Sequence, residues 1–255
     1  MDTVLVVCGP TATGKTQLAL RLAQEFNGEL ISADSQQVYL GRDLETGKDK
    51  DTLGDTKIWL MDILEETNDF SVSLWRKLAR EAIKDILSRN KLPIVVGGSG
   101  LYIRALVENL PNVDVPQNPQ LRQNNKSAQE LFNDLKEIDH VRAEALNNSD
   151  RHNPRRLVRA IEIALAPNSY MLTPGYKYIQ IGLIAPKEFL INKIKQRVKD
   201  RGLGEEYVDK EVEIMKKQIT WFKKQANINW YDVSLTRIDA IIKSCRKRLR
   251  FPIER

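Results

Sequence analysis

Eight residues near the start of the chain have the spacing of an anion cradle. Gly9-Pro10-Thr11-Ala12-Thr13-Gly14-Lys15-Thr16 fits G-x-x-x-x-G-K-[ST], the P-loop pattern. Its glycines let the chain turn tightly, so that successive backbone N–H groups and the following helix N-terminus face one phosphate. Lys15 supplies a cation for phosphate oxygens, and the Thr16 hydroxyl can ligate Mg²⁺. A second reactive group stands in ELISADSQQVY, where Asp34 follows an apolar run. A carboxylate there can accept a proton, ligate Mg²⁺ or, with Ser35, cap the next helix. Read alone, the loop points to ATP. Nucleotide hydrolysis and kinase chemistry, however, call for a Mg²⁺ carboxylate at the end of a later apolar strand, and PIVVGG ends in glycines.

These groups need a strand before the loop, a helix after it and a sheet edge that brings Asp34 alongside. The apolar runs predict strands over 3–8, 29–33, 57–63, 93–96 and 178–185. Helical spacing predicts α-helices over 16–26 and, with Ser71 as N-cap, 73–89. Alternating strands and helices give an α/β fold, a P-loop NTPase-like, doubly wound parallel sheet with helices on both faces. Between Leu110 and about Asp150 the pattern changes to LPNVDVPQNPQ turns and a polar helical stretch, AQELFNDLKEID. The expected organisation is therefore a first core part over 1–110, a small helical insertion over 111–150, and a core continuation with charged helices over 151–255.

With 255 residues, 42% hydrophobic and 29% charged, the composition is that of a globular protein. No apolar run approaches the roughly 18 to 20 residues that cross a bilayer, so no membrane span is expected. The sequence enters TVLVVCG at once, without a secretory leader, and the expectation is a cytoplasmic protein. Cys8 and Cys245 are too few for a metal cluster or a disulfide framework. The net charge of +6 permits nucleic-acid binding without requiring it. Its placement says more, because basic residues gather late, in NPRRLVRA (153–160), KIKQRVKDR (193–201), MKKQITWFKK (215–224) and CRKRLR (245–250).

GPTATGKT, LISADSQQVY, VVGGSGLYIRAL, NPRRLVRAIE and KKQITWF follow one another in an order that resembles the bacterial tRNA dimethylallyltransferases, from Val4 to about Phe222. The resemblance implies prenyl transfer from dimethylallyl diphosphate to N6 of the adenosine at tRNA position 37, 3′ of the anticodon, with release of diphosphate. It implies that Gly9 to Thr16 hold this diphosphate rather than ATP, with Mg²⁺ on Thr16, helped by Arg159 and Arg197. It makes Asp34 the general base and brings Ser99, Lys15 and Thr16 to the reaction centre. Asp34, Ser35, Gln36, Gln37, Ser99, Arg122, Arg155, Arg156, Arg159, Lys216, Lys217, Gln218, Trp221 and Lys223 are the implied tRNA contacts. By their residue types, Ser99 could equally be a turn serine capping its helix, and Trp221 could pack inward or stack on a base.

Two departures from the family pattern stand out. Only KDRGLGEEYVDKEVEI separates Val198 from Met215, so dozens of residues and a Gly-Tyr-Arg/Lys motif are expected to be missing from the tRNA-binding side. No zinc-finger segment is present, and the expectation is a bacterial-type monomer acting without zinc. The alternatives are an adenylate isopentenyltransferase acting on free AMP, ADP or ATP, a P-loop small-molecule kinase, and a non-catalytic RNA-binding module with a residual loop.

Overall fold

A computed structural model describes residues 2–43, 48, 56–68, 70–108, 110, 112–123, 125–166 and 175–249. In chain order the first elements are β1 (Thr3–Cys8), α1 (Lys15–Glu25), β2 (Gly28–Ser32), β3 (Ile58–Trp59), α2 (Val72–Ser88), β4 (Leu92–Gly97) and α3 (Gly100–Val107). Five helices follow, α4 (Pro119–Gln123), α5 (Ala128–Ile138), α6 (His140–Ala145), α7 (Asn148–Arg151) and α8 (Pro154–Ala164). The chain then returns to the sheet with β5 (Lys177–Ile184), α9 (Lys187–Asp200), α10 (Glu205–Phe222), β6 (Asn229–Asp232) and α11 (Ile238–Leu249).

The six strands form one parallel sheet in the order β3-β2-β4-β1-β5-β6. This is the doubly wound sheet that the strand–helix alternation predicts. Strand side chains alternate between faces, and both faces are covered, so β1 is apolar at successive positions. Leu5 and Val7 join one core cluster with α1 and α11, while Val4, Val6 and Cys8 join the other with α2 and α3. Ser71 caps α2 as predicted, accepting from Leu74 N at 3.1 Å. Among the described residues no helix is long and apolar enough to cross a membrane.

Two readings of the sheet differ from the structure. The strand expected over 57–63 shrinks to Ile58–Trp59, because Leu60 and Asp62 take left-handed backbone angles, φ 64° and 54°, which end the pleat. The segment Asn229–Asp232, embedded in what reads as charged helices, adds a sixth strand at the sheet edge beside β5.

The chain divides into two compact units, residues 1–108 with 174–255, and residues 109–173. The sequence pattern ends the insertion at about 150; in the structure α8 belongs to the second unit, because Leu157, Val158, Ala160 and Ile161 pack on Leu131 and Leu135 of α5. Within this unit Glu162 is buried, and its carboxylate accepts from Arg122 Nε at 2.8 Å, from Arg159 at 2.8 Å and from Asn118 N at 2.9 Å. Burial raises its pKa, but these hydrogen bonds outweigh it and bring the group down from 4.5 to about 2. A carboxylate depressed in the folded state stabilises that state above its unfolded pKa and loses the contribution as pH falls through the folded value. Glu162→Gln is therefore expected to cost about 1–3 kcal/mol at pH 7. In urea titrations of the intact chain, that difference from wild type should shrink as pH drops from 4.5 toward 2; a difference independent of pH would refute the assignment.

Candidate active site

Strand order places three loops side by side. β2, β4 and β1 are neighbours, with Ser32 in register with Val96 and Cys8 with Gly97, so the loops after them leave one sheet edge together. They line a cleft of about 1200 Å³, the carboxyl-edge crevice where such sheets hold ligands. Thr11 to Thr16, Asp34, Gln36, Gln37 and Gly98 lie on its walls.

The phosphate loop is shaped by contacts to its own neighbours. Gly9 has φ +141°, and a Cβ there would sit 2.2 Å from the Leu183 carbonyl oxygen, so only glycine lets β1 turn this close to β5. Thr13 Oγ1 and Lys15 Nζ both donate to the Pro10 carbonyl, at 2.8 and 2.7 Å. Cys8, beneath the loop, is a core thiol; burial pushes its pKa up to about 12 against the pull of Lys15, so it stays protonated.

Asp34 does part of the capping that its residue type allows. Its Oδ1 accepts from Gln36 N at 2.9 Å and Gln37 N at 3.4 Å, closing the turn 34–37, while Oδ2 accepts no hydrogen bond among the described residues. One oxygen is thus fixed by backbone, and Asp34 lies on the cleft wall. Ser99 stands at the N-cap position of α3 without capping it; its Oγ instead accepts from Ser35 N at 3.1 Å and ties this turn to the Asp34 turn. Tyr102, stacked on Trp75 at 5.0 Å, has its phenol pushed up to about 12 by burial and then by Tyr39 and Asp34, so its hydroxyl is neutral.

The far wall comes from α9 and α10. Arg197 donates to Thr11 Oγ1 at 2.7 Å and pairs with Glu211, which also faces Arg201 at 3.8 Å. Lys193 and Lys210 line the same wall. The sequence reading singles out Arg197 but not Glu211, Arg201, Lys193, Lys210 or Arg42, which donates to Gln36 Oε1 at 2.9 Å. The i, i+4 spacing of Arg197 and Arg201 is the one signal for two guanidinium groups sharing a counterion. Lys48, almost wholly buried, braces the segment after Asp34 by donating to Tyr39 O at 2.6 Å and pairing with Asp43 and Asp62.

The remaining residues implied by the resemblance fall in three places. Lys216 and Lys217 are exposed on α10, and Lys223, the residue just past its end, is exposed as well. Trp221 packs inward, edge-on to Phe222 at 5.2 Å and against the core cluster of α2 and α3. Gln218 turns into the cleft. Arg122, Arg155, Arg156 and Arg159 belong to the second unit, where Arg122 and Arg159 hold Glu162, Arg159 also donates to Asn112 O at 2.8 Å, Arg156 pairs with Asp150, and Arg155 is exposed.

A parallel α/β sheet carrying a G-x-x-x-x-G-K-T loop and a carboxylate on one edge has the architecture of the P-loop class. The IPP transferase family model matches residues 37–209. A tRNA dimethylallyltransferase from Acetivibrio thermocellus is 35% identical over 289 residues, covering 90% of this chain and 91% of that protein. The chain belongs to the IPP transferase family. That 289-residue alignment is longer than the 255-residue chain, so the relative carries residues between matched segments that this chain lacks. A crystal structure of a tRNA delta(2)-isopentenylpyrophosphate transferase from Staphylococcus epidermidis superposes with a TM-score of 0.66 at 26% identity, covering 98% of this chain and 99% of that one. A eukaryotic dimethylallyltransferase acting on tRNA shares the fold, with a TM-score of 0.84 at 20% identity, covering all of this chain and 81% of that one.

Proposed function

We propose that this chain is a tRNA dimethylallyltransferase, transferring the dimethylallyl group of dimethylallyl diphosphate to N6 of adenosine 37 in tRNA. The observation that carries this reading is a family member's cleft in which the phosphate loop and the free oxygen of Asp34 share one sheet edge, with glycines where a hydrolytic carboxylate would follow β4.

In this reading the N6 lone pair attacks C1 of the prenyl chain, the C1–O bond breaks toward diphosphate, and the N6 proton passes to Asp34 Oδ2. The amine is a weak nucleophile, because its lone pair is shared with the ring, so proton removal as the C–N bond forms lowers the barrier. Diphosphate gains charge as it leaves. The backbone amides of Ala12 to Thr16, Lys15 and Arg197 face that charge, and fixed donors of this kind stabilise it more in the transition state than in the ground state. Thr16 fits Mg²⁺, which takes few protein oxygens beside substrate phosphates: its hydroxyl lies on the cleft wall at the start of α1, and the bound ion would neutralise diphosphate charge. Ser99 steadies the Asp34 turn near the adenine. Lys216, Lys217 and Lys223, with the arginines of the second unit, meet tRNA phosphates. The enzyme works as a monomer in the cytoplasm.

The test supplies the protein and Mg²⁺ with labelled dimethylallyl diphosphate and one of three acceptors: an anticodon stem-loop with an A-rich loop, AMP, or none. Label should appear in the stem-loop alone. Transfer only to AMP would make the protein an adenylate isopentenyltransferase, and phosphorylation of a small molecule by ATP would make it a kinase.

A further inference from the structure

KKQITWF places a glutamine among lysines, and its position on α10 sets it apart from them. Met215, Ile219 and Phe222 are the buried residues of α10 over its last two turns, and Gln218 lies on the same side, while Lys216, Lys217 and Thr220 are exposed. The Gln218 carboxamide makes two directed bonds across the cleft. Its Oε1 accepts from Thr11 N at 2.7 Å, 207 residues away in sequence, and its Nε2 donates to Gly98 O at 3.2 Å. Gly98 makes room for it, since a Cβ there would lie 2.3 Å from Nε2.

One side chain therefore bridges the phosphate loop after β1 and the turn after β4, and Ser99 in that turn holds Ser35 beside Asp34. The bridge also spends a donor. Thr11 N points at Gln218 and not into the anion cradle, which leaves the amides from Ala12 onward and Lys15 to face phosphate. Thr11 is gripped a second time, through Oγ1, by Arg197. The residue entering the loop's tight turn is fixed by α9 and α10, two helices outside the loop itself.

We propose that Gln218 is a positioning residue for diphosphate binding: its carboxamide clamps the phosphate loop at Thr11 to the turn at Gly98, and it makes no contact with RNA. This rests on the prenyltransferase reading for the identity of the diphosphate, not for the clamp. A clamp of this kind sets the entropy cost of ordering the loop, so its loss weakens anion binding while the outer face of the helix is unchanged.

The test compares wild type with Gln218→Met, which keeps length and helix propensity but removes both hydrogen bonds, and with Gln218→Ala should the methionine variant fail to fold. Affinity for dimethylallyl diphosphate with Mg²⁺ is measured by calorimetry, KM for donor and for stem-loop by transfer, and order of the segment 9–14 by hydrogen exchange. Donor affinity should fall about tenfold, the worth of one buried hydrogen bond, with the KM for donor rising in step, the KM for stem-loop unchanged and exchange at 9–14 faster. Unchanged donor affinity and exchange would overturn the clamp, and a rise confined to the stem-loop KM would return Gln218 to the RNA surface. If wild type binds the donor yet prenylates no acceptor, the functional reading fails, while the clamp is still decided by calorimetry and exchange.

Discussion

Asp34→Asn is expected to slow prenyl transfer by about 10³-fold, within the range that a positioned general base contributes, and to leave the fold and stem-loop binding intact. Oδ1 is bound by the amides of Gln36 and Gln37, and an asparagine carbonyl can accept the same two bonds, so the turn survives the substitution. What disappears is the free Oδ2 as proton acceptor. The Ser35 N to Ser99 Oγ bond uses neither oxygen and keeps the neighbouring turn in place. Single-turnover rates at saturating donor and stem-loop isolate the chemical step, and they should fall while the stem-loop dissociation constant holds. A rate within a few-fold of wild type would mean that Asp34 is only a turn cap, the other role its residue type allows.

The parts of this site that could be read in the sequence are those set by local rules. An apolar run, a glycine turn with Lys-Thr and a helix form a contiguous unit, and its backbone geometry follows from residue type. Asp34 is legible for the same reason, because it follows directly on a strand. What the sequence hides is set by partners far along the chain. Ser99 has the residue type of an N-cap but spends its hydroxyl on Ser35, 64 residues earlier, and nothing within α3 signals that choice. Gln218 stands among lysines that suggest an RNA surface; its helical phase separates it from them, but only the tertiary contact with Thr11 says why. β6 is short and half-exposed, so it lacks the continuous apolar run that identifies β1 and β4. The placement of α8 is likewise decided by packing, since its apolar stripe suits any core and happens to fit α5.

Lys15→Met should lower the maximal rate by about 10²–10³-fold, the usual loss when one fixed donor to a developing anion is removed, with a smaller effect on donor affinity. Methionine preserves an unbranched stem, so the comparison removes a charge and little volume. A ground-state diphosphate already carries its charge on outer oxygens, where amides from Ala12 onward and Arg197 would share the load and Thr16 would hold a Mg²⁺ that neutralises part of it. Cleavage of the C1–O bond adds charge to a new oxygen, and the full positive charge of an ammonium held at the cradle stabilises that increment more than a neutral amide dipole does. Here Lys15 Nζ donates to Pro10 O at 2.7 Å, at the base of the same loop, so this backbone contact keeps the cation within reach of the cradle. The split between the two constants is the decisive readout. A loss in rate with nearly constant donor affinity makes Lys15 a leaving-group stabiliser, whereas an equal loss in both would assign it to binding alone.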